Sequence, residues 1–559
     1  MTVFTSENRY RVTFEAVPRP RWWRPLFVVY LAAAVLFVVW RCQVVNWHTW
    51  LGPIAVVFDI FGALIFGMLL WHVRYPSVPR HHAVDVSDYV VDCLIPTHTE
   101  SADLVEPTVL GALRIRGVRR VLVLGNRYRE DMRDMAVRLG AEYHARDDMA
   151  FGKAGNLNAG LAHTDADYVI TLDADHIAVP ELLERMIGYF DDPDVALVQS
   201  PQAYYNTDTL TFRRTRNGVW AEAQMFYRCV QPSKNHWNAA FYVGTSAVLR
   251  RQALDSTGGF ATGTVTEDIH TAMRLHAAGW RSVFLPEPLA FGLEAANLRE
   301  FFAQRRRWAV GSLQLLLRHR DSPLRRKGLS VAQRVHYLHA TAIHLGGPQR
   351  LFHLVLPTVT LLTMTSPVNI PFGLYSSAFL GYLVLSWTMM KVYFGRAYHP
   401  VHSEAYSLVA AVSQTAALLG LFRRERRYKA ADKQGNFRER TWVRGLLWTM
   451  TLICGSTLAY GGWLIAHGRL TGLIISATIW AGLHAFWIGS LLAYLVRYER
   501  RPAPQYAALT GPARYEWVMD RSAALIADER AAVPPATPEP RLEARSADPA
   551  PTVRPAMRA

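Results

Sequence analysis

The sequence predicts an α/β domain, with a doubly wound, Rossmann-like mixed sheet, inserted into an α-helical bundle of about six transmembrane helices. Two observations lead to this fold class. Long apolar runs flank a more polar middle region, and each is close to the ~20 residues that a helix needs to cross a bilayer. Within the middle region, short β-type runs alternate with helical patterns, which favours a mostly parallel sheet covered by helices.

The order of these runs predicts where a ligand binds. Helical patterns separate the first strand-like runs along the chain. The runs lie at 89–96, 121–124, 168–172 and 196–199, and the helical patterns at 108–116 and 132–139. Open α/β sheets bind ligands outside the carboxyl ends of their strands, so we expect the functional residues directly after these runs.

The apolar runs also predict an orientation in the membrane. The predicted spans are 26–40, 51–73, 339–364, 371–393, 443–465 and 470–496. With the N-terminus inside, the outer loops contain only Arg41 and Arg469 as basic residues, and basic residues favour the cytoplasmic side. We therefore predict a multi-pass protein of the plasma (inner) membrane, embedded in the lipid bilayer, with the middle α/β domain and both termini in the cytoplasm.

These patterns divide the chain into seven predicted segments. Its C-terminal tail is rich in Ala, Pro, Arg and Glu, a composition typical of disorder. The segments are a cytoplasmic N-terminal segment (1–24), transmembrane helices 1–2 (25–75), the cytoplasmic α/β domain (85–320), an interfacial helix with transmembrane helices 3–4 (321–400), a cytoplasmic amphipathic or gating segment (401–440), transmembrane helices 5–6 (441–498) and a disordered cytoplasmic tail (499–559).

Charge and cysteine content exclude some functions. The formal net charge is +16, but the basic residues follow the membrane topology and no nucleic-acid-binding motif accompanies them, so we expect no nucleic acid partner. The four cysteines lie far apart without CxxC spacing, which indicates neither a zinc site nor a disulfide framework.

The most informative motif follows the third strand-like run. It reads Asp173-Ala174-Asp175-His176 and places two carboxylates at the rim of the sheet. Hard oxygen ligands of this kind suit a divalent metal that also holds a diphosphate. Spacing alone is equally compatible with a solvated turn.

Other motifs have both a functional and an ordinary interpretation. Gly152-Lys153-Ala154-Gly155-Asn156 either brings backbone and a cation close to a phosphate or simply starts a glycine-rich helix. Thr266-Glu267-Asp268 is either a catalytic pair or a helix N-cap with a favourable dipole. The basic run before Trp308 either binds a ligand or lies on anionic lipid. Arg350, within a predicted span, either faces a wet channel or reaches the headgroups.

Taken in order along the chain, the motifs resemble those of the membrane-embedded family-2 glycosyltransferases of the bacterial cellulose synthase type. The resemblance runs from about residue 73 to 317 and more weakly through the later spans. It is carried by Thr97-His98-Thr99-Glu100, Lys153-Ala154-Gly155-Asn156, Asp173-Ala174-Asp175-His176, Thr266-Glu267-Asp268 and Gln304-Arg305-Arg306-Arg307-Trp308.

This resemblance implies a GT-A fold and an inverting transfer of a sugar from a nucleotide diphosphate. Asp173 and Asp175, with His176 nearby, would hold Mg²⁺ or Mn²⁺ on the diphosphate. Asp268 would be the general base, supported by Glu267, and its pKa must stay below the working pH.

The remaining roles that the resemblance implies concern the two substrates. The residues at the donor would be Thr97, Glu100, Lys153, Asn156 and Asp173. Those at the acceptor and diphosphate would be Gln304, Arg307, Trp308, Thr245 and Ser246, with Trp308 stacking on a sugar ring.

The sequence departs from the family pattern at two places. Where the family has an acidic Asp-Asp-Gly segment that contacts the nucleotide, this chain has Gly125-Asn126-Arg127. The gating segment of processive members is matched only by 428–435, in which Tyr428 and Lys433 persist. Nucleotide selectivity and processivity are therefore the open questions.

The leading hypothesis is a processive inverting β-glycosyltransferase that polymerises sugar from a UDP-sugar, with UDP-glucose as the default donor and a cellulose-like β-glucan as the default product. The enzyme would translocate the polysaccharide across the membrane through its own channel. Arg350 is a candidate to line that channel. The alternatives are a non-processive enzyme acting on a lipid or short acceptor, and a catalytically impaired scaffold homologue. The expected partners are the UDP-sugar, a polysaccharide or glycolipid acceptor and possible accessory envelope subunits.

Overall fold

The structure is a computed structural model of the protein and describes residues 10–215, 218–421, 442–501 and 505–530. Its helices are α1 Trp23–Gln43, α2 Leu51–His72, α3 Ala102–Leu113, α4 Glu130–Leu139, α5 Gly152–Leu161, α6 Leu182–Met186, α7 Gln231–Asn235, α8 Arg251–Ser256, α9 Glu267–Ala277, α10 Leu298–Leu317, α11 Val331–Ala342, α12 Gly346–Thr363, α13 Phe372–Phe394, α14 Pro400–Leu421, α15 Trp442–Ala466, α16 Gly472–Glu499 and α17 Gly511–Arg530.

The strands are short and cluster in the middle region. They are β1 Phe14–Ala16, β2 Ser77–Pro79, β3 Val91–Thr97, β4 Val118–Gly125, β5 Glu142–Ala145, β6 Tyr168–Thr171, β7 Ile177–Ala178, β8 Val195–Gln199, β9 Ala203–Tyr204, β10 Phe212–Thr215, β11 Gly218–Ala221, β12 Ala247–Arg250, β13 Arg281–Phe284 and β14 Ala290–Gly292.

Seven strands form the central sheet, in the order β13-β8-β12-β6-β3-β4-β5. Strands β6, β3, β4 and β5 are parallel to one another, while β12 runs antiparallel between β6 and β8. Strands β3 and β8 are buried along their whole length, because residues of both faces pack under helices. The predicted doubly wound mixed sheet is confirmed.

The sequence does not predict strands β5, β12 and β13. Each has only four residues and carries a charged residue at one end, so none forms an apolar run long enough to stand out from a loop. The sequence therefore predicts a mostly parallel sheet and does not include the antiparallel β12. This strand begins at Ala247, at the edge of the sheet where β6 ends.

In the described part of the chain, five helices, α1, α2, α14, α15 and α16, are long and apolar enough to cross a membrane. Four of them coincide with predicted spans. The spans predicted at 339–364 and 371–393 are not among the five. At the first of these, α11 ends at Ala342, a 3₁₀ turn covers Ile343–Leu345, and α12 continues from Gly346. Helix α14 begins the segment predicted as cytoplasmic and packs on both α10 and α12. The domain boundaries stay predictions.

A buried ionic cluster joins four helices of the bundle. The Arg41 guanidinium donates to Asp59 at 2.6 Å, and both side chains are almost fully buried. His353 lies 3.0 Å from the same carboxylate and the Tyr375 hydroxyl donates to it at 3.2 Å. Because a buried charge needs partners, this cluster fixes α1, α2, α12 and α13 against one another.

The prediction of a disordered tail from residue 499 is wrong for residues 505–530. Helix α17 packs on α3 of the sheet domain, and Tyr515 and Val518 are buried in the same core as the strands. Arg114 lies 4.1 Å above the Tyr515 ring. Helix α17 is rich in alanine and charged residues, so the apolar stripe on one of its faces does not stand out in the sequence.

Truncating this stripe should loosen the whole sheet domain. Val518 has no exposed surface, so Val518→Ala should lower the free energy of unfolding by about 2 kcal/mol. We expect a fall of roughly 4 °C in the apparent unfolding temperature of the protein in detergent. Asp520→Ala, on the exposed face, is the matched control. Equal melting of both variants would show that α17 does not contribute to the core.

Candidate functional site

The site residues meet at one edge of the central sheet. Strands β3, β4 and β6 end there, and the antiparallel β12 begins there. A cavity opens at this edge between the sheet, α9 and α10. Its lining includes twelve of the predicted site residues: Thr97, Glu100, Lys153, Asn156, Asp173, Asp175, His176, Glu267, Asp268, Gln304, Arg307 and Trp308.

Asp173, Asp175 and His176 form a compact cluster directly after β6. The backbone N–H of Asp173 donates to Thr245 Oγ1 at 2.9 Å, and Asp175 Oδ2 accepts the N–H of Leu293 at 2.9 Å. These bonds fix the loop in a shape that a freely solvated turn does not have. One ligand atom from each of the three residues lies within 4.8 Å of the others.

The chemistry of this cluster fits a divalent metal. His176 is buried, and its Nε2 has no hydrogen-bond partner within the described part of the chain. His176 Nδ1 lies 3.3 Å from Asp175 Oδ1. Two carboxylates and an imidazole with an unused nitrogen are ligands that divalent metals accept, so the residues present are suited to hold such an ion.

Lys153 holds this cluster to the rest of the site. Its Nζ lies 2.5 Å from Asp173 Oδ1, 2.7 Å from the carbonyl of Gly244 and 3.8 Å from Glu267 Oε1. Burial alone would lower the pKa of Lys153, but the charges of Asp173 and its other neighbours, including Glu267, together outweigh burial, and the pKa is raised. The ammonium group therefore stays charged and offsets the carboxylates around it.

Asn156 ties two strand ends together. Its amide donates to the carbonyls of Thr97 at 3.1 Å and Leu124 at 2.8 Å. Backbone carbonyls at the ends of β3 and β4 are thereby satisfied. Asn156 borders the cavity, and its hydrogen bonds set the spacing of the two loops that line the cavity at this side.

Glu267 and Asp268 open α9 with their carboxylates in the cavity. The Thr266 side chain makes no capping hydrogen bond, so the ordinary N-cap interpretation does not account for this motif. Burial, reinforced by the adjacent carboxylate of Glu267, raises the pKa of Asp268 to about 7. Burial likewise raises the pKa of Glu267. The backbone N–H of Ile269 and the charge of Lys153 lower the pKa of Asp268 but only partly offset this rise.

Helix α10 brings Gln304, Arg307 and Trp308 to the other wall of the cavity. The guanidinium of Arg305 lies 4.2 Å from the centre of the Trp308 ring and pairs with Glu222. One face of the indole is thus covered by a cation. The motif lines the cavity, whereas the ordinary interpretation places it on lipid.

Five predicted residues lie elsewhere. Thr245 and Ser246 are fully buried beneath the cavity, where Thr245 supports Asp173; they do not line it. Arg350 lines a separate cavity in the helical bundle and donates to Glu404 at 3.0 Å and Ser407 at 2.7 Å. Tyr428 and Lys433 lie outside the described residues.

The lining also contains residues to which the sequence assigned no role, among them the polar His98, Asn126, Gln202 and Tyr204. Gln202 and Tyr204 follow β8, whose run at 196–199 is predicted, so the rule that ligands bind after strand ends could have found them. The Tyr227 hydroxyl donates to Gln202 at 2.8 Å. Asn126 belongs to the segment in which the sequence departs from the family pattern, yet it faces the cavity, whereas Arg127 is exposed.

Comparison with known proteins agrees with this site. Residues 168–395 match the family described as glycosyl transferase family group 2, a range that includes Asp173, Asp268 and Trp308. The predicted resemblance to family-2 glycosyltransferases is confirmed over this range.

Relatives place the chain near one branch of that class. It is 36% identical over 347 residues to putative cellulose synthase 2 of Komagataeibacter xylinus, covering 59% of this chain and 23% of that one. It is 33% identical over 405 residues to the UDP-forming cellulose synthase catalytic subunit of Pseudomonas fluorescens, covering 69% and 54%. The chain thus spans between a quarter and about half of these relatives. Over the aligned residues the chain is similar to these cellulose synthases.

Among solved structures, a mannosyltransferase from Pyrobaculum calidifontis in complex with GDP-Man and Mn²⁺ is similar with a TM-score of 0.48 and 17% identity. The match covers 67% of this chain and 100% of that one.

The metal role of His176 can be tested without an activity assay. A Cβ added to Gly292 would lie 2.3 Å from His176 Cε1, so Gly292→Ala should displace the buried imidazole. Mn²⁺ should bind about tenfold more weakly, an effect typical of removing a group that orients a metal ligand. Electron paramagnetic resonance titration of free Mn²⁺ measures this. Gly445→Ala, where added volume meets no atom within 4 Å, should bind as the unaltered protein does; an unaffected Gly292→Ala would count against His176.

Proposed function

We propose that the protein is a processive, inverting β-glycosyltransferase that transfers sugar from a UDP-sugar onto a growing polysaccharide and passes the product through its helical bundle. The observation that carries this proposal is the single cavity lined by the Asp173 cluster, the buried Asp268 and Trp308. Relatives named as UDP-forming cellulose synthases support UDP-glucose as the donor and a cellulose-like β-glucan as the product.

The donor half of the cavity suits a nucleoside diphosphate. Asp173 and Asp175, with His176 beside them, would hold Mg²⁺ or Mn²⁺, and the bound ion would neutralise charge on the leaving diphosphate. Lys153 Nζ, 2.5 Å from Asp173, supplies a fixed positive charge at the same place. The loop at Thr97 and Glu100, which borders the cavity, would contact the rest of the donor.

The acceptor half suits attack by a sugar hydroxyl. As the hydroxyl oxygen bonds to the anomeric carbon, Asp268 takes its proton and the bond to the diphosphate breaks. A single displacement of this kind inverts the anomeric carbon and needs no enzyme nucleophile. Trp308 offers an indole face for a sugar ring. Gln304, one turn of α10 before Trp308, would orient the acceptor, and Arg307, directly before Trp308, would balance diphosphate charge.

The bundle offers a route for the product. A cavity of about 490 Å³ lies among α2, α12, α13 and α16 and reaches from His339 to Phe372. Arg350 and the rings of Trp387, Trp480 and Trp487 line it, a mixture of aromatic and polar groups suited to sugar. We propose that Tyr428 and Lys433 gate its cytoplasmic end, that the sheet domain is cytoplasmic in the inner membrane, and that accessory envelope subunits receive the product.

Removing the proposed base separates catalysis from donor binding. Asp268→Asn should lower the rate of UDP release by about 10²–10⁴-fold, the usual contribution of a general base, while UDP binding with Mn²⁺ persists. Membranes that contain the protein are incubated with a panel of UDP-sugars. The release of UDP gives the rate, and digestion with linkage-specific glycosidases identifies the product. Asp255→Asn, on exposed α8, is the control, and full polymer synthesis by Asp268→Asn would refute the assignment.

The pH profile should report Asp268 directly. Its pKa is raised to about 7, and only the ionised carboxylate can accept the proton, so the turnover rate should fall as the pH falls below about 7. Glu267→Gln removes a negative neighbour that raises this pKa, and should move the acidic limb to lower pH. An acidic limb that stays in place in Glu267→Gln would indicate that another group titrates.

Product length distinguishes this function from a non-processive one. The departures at 428–435 favour short products, whereas the bundle cavity favours long ones. With saturating donor, products resolved on a gel should be long polymers; a product extended by one or a few sugars would establish the non-processive enzyme instead.

A further inference from the structure

We propose that Asn126, held between His98 and Arg146, reads the base of the nucleotide donor and lets this protein accept uridine and cytidine diphosphates with similar affinity. This inference rests on the proposed function, since it concerns the same donor site. Asn126 lies in the segment Gly125-Asn126-Arg127, where the family pattern has an acidic pair, and its proposed role is in selecting the nucleotide.

The geometry of the sheet places the nucleoside at Asn126. Asp268 faces the cavity beside Gly244, which precedes β12, so the sugar end of the donor lies on the β12 side of Asp173. With the diphosphate at Asp173 after β6, the nucleoside must extend the other way, across the ends of β3 and β4. Asn126 follows β4, two strand spacings of about 4.8 Å from β6, which matches the length of a ribose and the near edge of a base.

Asn126 is held rigidly in this position. It is 5% exposed. Its Oδ1 accepts Arg146 Nη2 at 2.8 Å, and its Nδ2 donates to His98 Nδ1 at 2.9 Å. Arg146 is itself fixed by the carbonyl of Ala150 at 3.0 Å and by Asp148 at 3.2 Å. Both ends of the amide are therefore held in place at the edge of the cavity, so a base can sit against either its oxygen or its nitrogen.

The chemistry of an amide differs from that of a carboxylate at this point. A carboxylate only accepts hydrogen bonds, so it favours the N3–H of uracil and repels the N3 lone pair of cytosine. An amide keeps a second lone pair on Oδ1 and a second hydrogen on Nδ2. It can accept from uracil or donate to cytosine, so neither base leaves a buried group without a partner.

Binding of UDP and CDP to the full-length protein with Mn²⁺, by isothermal titration calorimetry in detergent, tests this proposal. The two dissociation constants should differ by less than about tenfold, because each base finds one hydrogen bond of comparable net value. Asn126→Asp should raise the preference for UDP by at least about tenfold, chiefly by weakening CDP, since a charged group left facing a lone pair is costly. The new carboxylate keeps Arg146 as a partner, so the variant should fold.

Two control variants complete the experiment. Arg127→Gln makes the same one-unit change in net charge on an exposed side chain and should leave the ratio of the two affinities unchanged. Asn126→Ala should weaken both nucleotides without favouring either. A preference for UDP above about tenfold in the unaltered protein, or an unchanged ratio in Asn126→Asp, would overturn the inference. Failure of every nucleoside diphosphate to bind would instead overturn the proposed function, and this inference with it.

Discussion

The contact between the Lys153 ammonium and the carboxylates around it is the interaction on which the site depends. Asp173, Glu267 and Asp268 share one cavity, and like charges brought together in a desolvated place resist ionisation. Lys153 lies 2.5 Å from Asp173 and 3.8 Å from Glu267, so one cation serves both the Asp173 cluster and the carboxylates at the start of α9. Lys153 belongs to the first turn of α5, so its position depends on how the sheet holds that turn against the ends of β3 and β4.

The sheet meets this requirement through side chains that the cavity hardly exposes. Asn156 bridges the ends of β3 and β4, and Thr245 supports the backbone of Asp173 from the start of β12. Gly292 approaches His176 so closely that no side chain fits between them. The cavity is thus defined from below by hydrogen bonds, and α10 closes it from the membrane side while packing on α14.

Local sequence signals found the chemistry but not its supports. The motifs indicate both the type and the position of the functional side chains, as for Asp173, Lys153, Asp268 and Trp308. The supports lack such signals: β12 has four residues, and Thr245 was expected to contact the acceptor. Helix α17 was missed for a related reason, because its stripe through Tyr515 and Val518 is diluted by alanine and charge, and only packing against α3 makes it stable.

The same burial that creates the base also limits it. A carboxylate in water is a weak base, and one with a pKa far above neutral is protonated when it is needed, so a general base works best near the working pH. Burial and Glu267 raise the pKa of Asp268, while Lys153 lowers it, leaving it at about 7. Lys153, the cation beside Asp173, therefore also favours the ionised form of the proposed base, so the proposed metal ligands and the proposed base depend on the same side chain.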